Sequence, residues 1–555
     1  ICMDRDVTLP VFSLTTDKKH FYDNSTGILA SANVEDKNKQ WRRPVNVEFF
    51  EDTNLDSCVI NQLCETRVSG NWTRRFPLRT LAVYAKKRFG KKHFKYEFFP
   101  DLRPGSADFK SVLLRNSGND FPYLYSRDAI MQAQIAKHCD IDWQAGRPAI
   151  IFINGSYKGI LNIRERSSDD NIFTNYNELE DIDMIENSWE LKNGTWDKYN
   201  AFKDFYAEHG HTMEEYSKWL DVYEFLNIYA MNLFFNNRDW PGNNTVWWRP
   251  RTDDGVFRII AKDTDFGLGL YDTPYNYNTL AWLHDPNYDP GTSWANQYDH
   301  TRLFRRLTED SDFQREFVER CAIYMADFLN ERGIWEIWEP MYNMIKTEYP
   351  IHRKQFNEWW PNYNEELNKA HNWIKQRPEY FYKHLAERYS LGTPIPFSVV
   401  RSELSEDDAK RMLMTANGVT LSGTTLNGKF FKGHKLSLEC RPLTAEELAA
   451  KGIDDEASTL EVIGWNVITN GSTQFYDTKT LDYVFPETSS VTIIPVYEQS
   501  SGIEEINSEA TDTDASAHII ESIYDISGRK SVGARHAGIY IQRKNGQQPH
   551  KIIMR

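Results

Sequence analysis

Short apolar runs separated by turn residues dominate the first part of the chain. Between residues 11 and 68 these runs alternate with clusters of Asp, Asn, Ser and Gly, a spacing typical of β-strands. Two further apolar runs in residues 148–163 are joined by Asn154, Gly155 and Ser156, which predicts a tight hairpin. We therefore expect a β-rich subdomain over residues 1–66, with more strands after it.

Helical spacing replaces this alternation farther along the chain. Thr212 and Asp221 each stand three positions before a glutamate, which is the signature of a capped helix start. After Asp221 the apolar residues recur with a helical period: Leu226, Ala230, Leu233 and Phe234. Residues 302–384 show the same period. The pattern predicts a helix that ends close to Asn236, and later a helical lobe.

The composition changes again after residue 391. Residues 397–498 alternate apolar runs with Asn-Gly and Ser-Gly turns, which favours a β-sandwich-like module over residues 392–498. Residues 499–516 are rich in Ser, Glu, Asp and Thr, as linkers are. Residues 517–555 read as a short β-rich unit.

Size and charge narrow the classes of function. A chain of 555 residues predicts two to four domains. Its net charge of -15 argues against nucleic acid as the main partner, because no basic excess is available to neutralise phosphates. No run of eighteen apolar residues exists, so the sequence predicts no transmembrane segment. The six cysteines are scattered and favour neither a disulfide framework nor a zinc site, although Cys58 and Cys64 are close enough in sequence to form one bridge.

The residues best suited to chemistry gather between Leu233 and Gly269. Asp239 follows the predicted helix, Asn244 comes five residues later, and Asp263 and Asp265 follow a second apolar run. Residues 245–249 and 256–262 read as two strands joined by a turn at residues 250–255. Because the two arms have similar lengths, antiparallel pairing brings Asn244 and Asp263 near each other. We therefore expect an oxygen-rich pocket at this end of the hairpin.

A divalent cation that carries phosphates prefers such a pocket. Protein kinases use an Asp that accepts the hydroxyl proton, an Asn five residues later and the Asp of a DFG motif; here these are Asp239, Asn244 and the run from Asp265 to Gly267. A glycosidase with Asp239 and Asp263 as its carboxylate pair is a weaker alternative, because Asn244 and the DFG run would have no role. A calcium loop is disfavoured, since its twelfth position is Pro274 rather than Glu.

Charged residues upstream offer contacts for phosphate. A glycine-containing turn at Gly70 leads to Arg75 and Arg79 before a strand, and arginines placed there can hold phosphate oxygens. A solvated hairpin end is the alternative interpretation. Glu165 follows the second strand of the predicted 148–163 hairpin and is a candidate for the cleft between lobes, or else a surface carboxylate.

Several ordered motifs together resemble the CotH kinases, a family with an atypical protein-kinase-like fold. They are the segments from Asn237 to Asn244 and from Asp263 to Gly269, with Ile153 to Ile160 and Gly70 to Gly90 upstream. The resemblance spans Pro10 to Leu391 and implies a kinase-like domain over residues 67–391. Arg79 stands where relatives usually carry a lysine, and the two side chains are not equivalent in shape.

The resemblance implies an α+β fold with a two-lobe core, and a function as an extracytoplasmic kinase. ATP and Mg²⁺ or Mn²⁺ would be its cofactors, with Asp239 as proton acceptor, Asn244, Asp263 and Asp265 at the metal, and Arg75, Arg79 and Glu165 near the nucleotide. The acceptor would be a hydroxyl of a surface or secreted protein. The rival hypothesis is a non-catalytic surface protein that binds a glycan or an envelope protein on the same scaffold.

The end of the chain carries a second resemblance. Residues 523–529 and 538–541, followed by a basic end at Lys551, resemble the C-terminal sorting domain of type IX secretion in Bacteroidetes. This implies export and attachment at the cell surface.

Overall fold

The protein is described by a computed structural model that covers residues 6–51, 57–356, 360–401, 404–423, 425–453, 458, 460–499, 521–525, 538–544 and 550–554. It divides into two compact units. One comprises Ile1–Thr174, Glu178–Gln314 and Phe328–His384; the other comprises Asn175–Asn177, Arg315–Asp327 and Leu385–Arg555. Helices occur together with several separate sheets, which confirms the expected mixture of α and β structure.

Strands of the first unit follow the apolar runs of the sequence. They are β1 (Val11–Thr15), β2 (Arg43–Phe50), β3 (Cys58–Val68), β4 (Leu81–Ala85), β5 (Phe94–Lys95), β6 (Asp108–Phe109), β7 (Ser111–Arg115), β8 (Gly146–Ile153), β9 (Ser156–Arg164), β10 (Ile182–Glu186), β11 (Glu190–Asn193), β12 (Val246–Pro250) and β13 (Arg258–Ile260).

Seven of these strands close a barrel in the order β1-β2-β3-β4-β7-β9-β8. All neighbours are antiparallel except β1 and β8, which pair in parallel from Val11 opposite Ile150. The boundary expected between residues 66 and 67 falls inside β3, which pairs with β2 on one side and β4 on the other. The N-terminal strands are therefore part of this barrel rather than a separate subdomain.

A second sheet of the first unit has the order β11-β10-β12-β13. Its hairpin β12–β13 is the one predicted from the sequence, with Val246 opposite Ile260 and Trp248 opposite Arg258. The hairpin at residues 154–156 is also present, because β8 and β9 pair up to Ile153 opposite Ser156. Both turns were predicted because their flanking residues combine strand formers with turn formers.

Helices alternate with these strands and continue after β13. They are α1 (Lys18–Tyr22), α2 (Ser31–Val34), α3 (Arg127–His138), α4 (Asp169–Asn175), α5 (Asp197–Ala207), α6 (Met213–Tyr216), α7 (Val222–Phe235), α8 (Thr279–His284), α9 (Tyr298–Leu307), α10 (Ser311–Asp327), α11 (Glu331–Ile345), α12 (Tyr349–Lys354) and α13 (Tyr363–Tyr389). Parts of α10 and α13 belong to the second unit. Short 3₁₀ turns lie at Trp72–Arg75, Lys87–Phe89, Gly118–Asp120, Leu270–Asp272 and Pro290–Thr292.

Helix α7 is central to the first unit, and all but one of its side chains are buried. It begins at the predicted cap, where Asp221 accepts a 3.0 Å hydrogen bond from the backbone of Glu224. It ends at Asn236, which adopts a left-handed conformation with φ 60°, as helix C-caps often do. The buried guanidinium of Arg377 donates to the last carbonyls of α7, at 2.9 Å from Leu233 and 2.8 Å from Phe234. These contacts satisfy carbonyl groups that have no partner within the helix.

Strands and two short helices make up most of the second unit. They are β14 (Ile395–Val400), α14 (Glu406–Arg411), β15 (Met412–Ala416), β16 (Val419–Thr420), β17 (Thr425–Phe430), β18 (Lys435–Pro442), α15 (Ala445–Ala450), β19 (Leu460–Thr469), β20 (Ser472–Tyr476), β21 (Thr480–Val484), β22 (Val491–Gln499), β23 (Glu521–Asp525), β24 (Gly538–Lys544) and β25 (His550–Met554).

Three sheets arise from them, in the orders β17-β14-β22-β19-β20, β16-β15-β18-β21 and β23-β24-β25. The linker predicted at 499–516 lies outside the described residues except for Gln499. Within the described part of the chain, none of the helices combines the length and apolar character that crossing a membrane requires.

The thiols of Cys58 and Cys64 are both free. The two residues lie on the same strand, β3, where six positions span roughly 20 Å. A disulfide needs Cα atoms within about 7 Å, so the extended strand keeps this pair apart.

Candidate active site

The loop after helix α7 carries Asp239 toward the hairpin. Its carboxylate accepts a 2.9 Å hydrogen bond at Oδ2 from Nδ2 of Asn244, and Nδ2 of Asn243 lies 3.1 Å from Oδ1. The indole nitrogen of Trp294 donates to Oδ1 at 2.6 Å. Three donors from two different segments therefore hold this one carboxylate.

Burial raises the pKa of Asp239 to about 6. The hydrogen bonds from Trp294 and Asn243 act in the opposite direction, while the negative charge of Asp263 adds to the effect of burial. A carboxylate with this pKa is a stronger base than an exposed one and is still ionised at neutral pH.

The other end of the hairpin supplies Asp263 and Asp265. Asp263 has φ 52° and Asn244 has φ 58°, so the chain leaves the regular strand conformation at both positions. Arg115, at the end of barrel strand β7, forms an ion pair with Oδ1 of Asp263, and its Nη2 lies 3.9 Å from Oδ2 of Asp265. A guanidinium group from the barrel thus lies against the carboxylates of the hairpin.

The charges in this cluster shift the pKa values of Asp263 and Asp265 in opposite directions. Burial would raise the pKa of Asp263, but the charges of Arg115 and Lys262 and the hydrogen bonds from Asp265 and Arg115 together outweigh it and lower that pKa to about 2. For Asp265, burial and the adjacent charge of Asp263 raise the pKa well above its ordinary value. The surroundings therefore favour the charged form of Asp263 and disfavour the charged form of Asp265.

Asp128, in the first turn of helix α3, holds the segment between the two aspartates. It accepts hydrogen bonds from the backbone and hydroxyl of Thr264 at 2.9 and 2.8 Å. Its carboxylate also pairs with Arg164 and lies 3.4 Å from Nε of Arg115. Asp128 thus connects the barrel arginines to the hairpin end by ion pairs and hydrogen bonds.

A glycine loop closes over Asp265. The backbone N–H of Asn119 donates to Oδ2 of Asp265, and Gly118 lies beside it with φ 63°. A Cβ atom at Gly118 would collide with Oδ2 of Asp265 and approach Nη2 of Arg115 to 2.6 Å. Only glycine suits this position, for both its backbone conformation and its space.

The oxygen atoms of the site fit a divalent cation that is shared with phosphates. Oδ1 of Asp265 is buried, and no hydrogen-bond donor of the described residues reaches it. Asn244 uses its amide nitrogen for Asp239, which leaves the amide oxygen as its ligand atom. Within the described ranges, no three His, Cys, Asp or Glu side chains gather to hold a metal by themselves, but Mg²⁺ commonly takes only one or two carboxylates and completes its shell with water and phosphate.

The three residues predicted near the nucleotide lie in other surroundings. The guanidinium of Arg75 stacks 4.0 Å from the Trp72 ring, and Arg79 donates to the carbonyl of Pro77 at 2.5 Å. Glu165 is buried and accepts a 2.8 Å hydrogen bond from the backbone of Ala145. The nucleotide-binding role of Arg75, Arg79 and Glu165 stays a prediction.

Exposed aromatic rings border the site. Trp294 is 47% exposed and Tyr271 is 45% exposed. The ring of Phe266 lies between them, with its centroid 6.3 Å from that of Trp294 and 5.4 Å from that of Tyr271. The chain after Gly269 thus brings exposed rings to the surroundings of Asp239.

Sequence reasoning did not identify Arg115, Asp128 or Gly118 as site residues. Arg115 and Asp263 are 148 positions apart, and no local pattern links them. The usable signal was an arginine that ends an apolar strand and is followed within three residues by a glycine.

One family model, described as CotH kinase protein, matches residues 66–381 of the chain. The matched range contains the four residues of the hairpin site and the barrel residues that contact them. A search among curated proteins gives no match.

Proposed function

The chain belongs to the CotH kinase family, and from this premise we propose that it transfers the γ-phosphate of ATP to a hydroxyl group. The kinase-like character follows from the family, together with the general use of ATP and a divalent metal. The roles of individual residues, the choice of Mg²⁺ or Mn²⁺ and the acceptor are part of the proposal.

One observation carries the proposal most directly. Asp239 and Asn244 are joined by a 2.9 Å hydrogen bond, and the charge of Asp263 acts on the Asp239 carboxylate. A proton acceptor thus lies beside the oxygen atoms that suit a metal, which is the arrangement that phosphoryl transfer requires. Asp239 would accept the hydroxyl proton, because its pKa near 6 leaves it ionised at neutral pH.

Asn244, Asp263 and Asp265 would hold the divalent cation. Such a cation, when bound, would neutralise the negative charge of the phosphates. Arg115 would keep Asp263 ionised both with and without a bound cation. The loop at Gly118 would fix the orientation of Asp265. Positioning and charge neutralisation supply most of the catalysis in this class of reaction.

We place the reaction outside the cytoplasm, on the resemblance of residues 517–555 to a sorting domain. The acceptor hydroxyl would belong to a surface or secreted protein, on a side chain or on an attached glycan.

The test is transfer of label from γ-labelled ATP in the presence of Mg²⁺ or Mn²⁺, with Asp263→Asn as the principal variant. We expect transfer in the unchanged protein and its loss in the variant. Asp253→Asn is the matched control, because Asp253 is an exposed residue of the turn between β12 and β13. Absence of both nucleotide and metal binding in the unchanged protein would reject the proposal.

A non-catalytic binding protein is the second candidate, and one observation favours it. Arg115 already pairs with Asp263 and lies close to Asp265, so the carboxylates are compensated in the absence of a metal. A surface protein that binds a glycan or an envelope protein would keep this ion pair and the exposed aromatic rings without any transfer of label.

A further inference from the structure

We propose that the acceptor hydroxyl belongs to a saccharide ring that stacks on the indole of Trp294. The inference rests on the proposed function and names the chemical class of its acceptor. It depends on the position of one exposed ring relative to the proton acceptor.

Trp294 presents its edge to Asp239 and much of its surface to solvent. The indole nitrogen lies 2.6 Å from Oδ1 of Asp239, while the residue is 47% exposed. A group stacked on the indole face therefore has its own edge next to the carboxylate. The ring is held at this angle by Phe266, whose plane is at 88° to the indole.

The aromatic surface continues beyond Trp294 on one side. Phe266 packs against Tyr271, and Tyr271 packs edge-on against Tyr123 with centroids 5.8 Å apart. The hydroxyl of Tyr271 donates to Oδ1 of Asn119 at 3.1 Å. This is the same Asn119 whose backbone contacts Asp265, so the strip runs from Asp239 to the metal side of the site.

A second exposed tryptophan is connected to the Asp239 loop through His300. Trp189 is 59% exposed, and its centroid is 6.1 Å from that of His300. His300 in turn abuts Gly242, three residues after Asp239. In the described part of the chain the strongly exposed tryptophans are Trp72, Trp189 and Trp294. Trp294 contacts Asp239 directly, and Trp189 reaches the same loop through His300.

Uncharged polar groups lie beside these rings, together with the guanidinium groups of Arg238 and Arg127, each 5.9 Å from a ring centroid, of Phe266 and of Tyr123 respectively. Asn243 and Asn119 carry amides at either end of the strip, and Tyr271 carries a phenol. Exposed rings combined with amides recognise molecules that have C–H faces and hydroxyl edges, because the faces pack on the rings while the edges form hydrogen bonds. A pyranose ring has this chemistry. A serine side chain offers no face for the indole, which is why we favour the sugar over the peptide.

The transfer requires only the sugar hydroxyl, ATP and the Asp239 carboxylate. The sugar hydroxyl oxygen forms a bond to the γ-phosphorus of ATP, and the bond from that phosphorus to the β–γ bridging oxygen breaks. The hydroxyl proton moves to Asp239, and ADP leaves with the electron pair of the broken bond. The product is a sugar phosphate monoester.

The experiment uses the full chain with cellohexaose, chitohexaose and maltohexaose as acceptors, and dephosphorylated casein as the peptide acceptor. We measure label transfer from ATP and, separately and without nucleotide, the change in tryptophan fluorescence as each saccharide is added. We expect at least one saccharide to accept label and to change the fluorescence. Trp294→Ala should raise the KM for that saccharide by tenfold or more with little change in the KM for ATP.

Phe475→Ala is the control, because Phe475 is an exposed aromatic residue of the second unit and should change neither KM. Transfer to casein without transfer to any saccharide would overturn the inference and leave the proposed function intact. A Trp294→Ala effect confined to the KM for ATP would also overturn it. Absence of transfer to every acceptor, together with absence of ATP and metal binding, would reject the inference and the proposed function alike.

Discussion

Asn244 donates a 2.9 Å hydrogen bond from its amide nitrogen to Oδ2 of Asp239. The two residues are five positions apart, and a cap at the end of α7 followed by the start of β12 brings them together. The bond turns the amide oxygen of Asn244 away from Asp239, so one side chain can orient the proposed base and still offer an oxygen to the proposed cation. Substitution of Asp239 and substitution of the proposed metal ligands should therefore have different effects.

We expect Asp239→Asn to lower kcat by about 10²–10⁴-fold, the range typical of loss of a general base, with little change in the Kd for Mn²⁺. Asp263→Asn should weaken Mn²⁺ binding and lower kcat together. Calorimetric titration with Mn²⁺ beside label-transfer rates separates the two effects. Equal Mn²⁺ affinity in Asp263→Asn and in the unchanged protein would contradict the assignment of Asp263.

Removal of the Arg115 charge should destabilise the protein. Arg115→Met leaves Asp263, Asp265 and Asp128 without their shared cation, and breaking a buried pair in this way costs about 3–5 kcal/mol in the free energy of unfolding. Because Mn²⁺ would neutralise the same carboxylates, it should raise the Tm of this variant more than that of the unchanged protein. Urea unfolding and thermal scans with and without Mn²⁺ measure both effects.

Arg332→Met is the matched control, since Arg332 pairs with Glu336 at a position where its side chain is 48% exposed. Its loss should change the free energy of unfolding by no more than about 1 kcal/mol. If Arg115→Met does not fold, Arg115→Gln removes the charge but keeps hydrogen-bond donors, and it allows the same comparison. If Mn²⁺ raises the Tm of all variants equally, Arg115 does not compensate the carboxylates that bind the cation.

Gly118→Ala should impair the site through Asp265. The new Cβ would meet Oδ2 of Asp265, so we expect a loss of about 10–100-fold in kcat/KM from misplacement of the carboxylate. Gly105→Ala shares the left-handed backbone, with φ 81°, but its Cβ would meet nothing within 4 Å. It should show only the backbone penalty of about 1–2 kcal/mol in stability, with unchanged kcat/KM. Identical kinetics for the two variants would show that Gly118 has no role beyond its conformation.

Stability should fall in mild acid because of His352. This side chain is fully buried, accepts a 2.9 Å hydrogen bond at Nδ1 from the backbone of Ile160, and has its pKa lowered to about 3 by burial, with the charge of Arg353 as a further cause. The unfolded chain binds the proton near pH 6.5 and the folded chain does not. The contribution is therefore complete above pH 6.5 and is lost as the pH falls toward 3, by about 2 kcal/mol between pH 7 and 5.

His352→Gln keeps an acceptor for Ile160 without a titrating ring, so its free energy of unfolding should depend less on pH across this range. His371→Gln changes a half-exposed histidine and should keep the full dependence. Urea midpoints at pH 7, 6 and 5 make the comparison. If the free energy of unfolding of His352→Gln falls with pH as steeply as that of the control, groups other than His352 cause the acid sensitivity.

The sequence predicted what depends on neighbouring residues. The capping box at Thr212 and Glu215 is present with both of its hydrogen bonds, and the hairpin after Asn244 pairs as expected, because turn and cap chemistry act over a few positions. The contacts of Arg115 could not be predicted from the sequence, since they depend on how a barrel strand, helix α3 and the hairpin pack against one another. Closure of the barrel was missed for a similar reason: the parallel pairing of β1 with β8 joins segments that are far apart in the chain.

The position of β1 sets a lower limit on how far the protein can be shortened. A version that began at residue 66, where the family match begins, would lack β1, β2 and most of β3. The edge of β8 would then present unpaired N–H and C=O groups to solvent, as would the remaining segment of β3 and the end of β4 at Tyr84 and Ala85. Such edges recruit strands from other chains. We expect that fragment to aggregate instead of behaving as a minimal kinase. The first sixty-five residues are thus needed for solubility, although they contribute none of the candidate site residues.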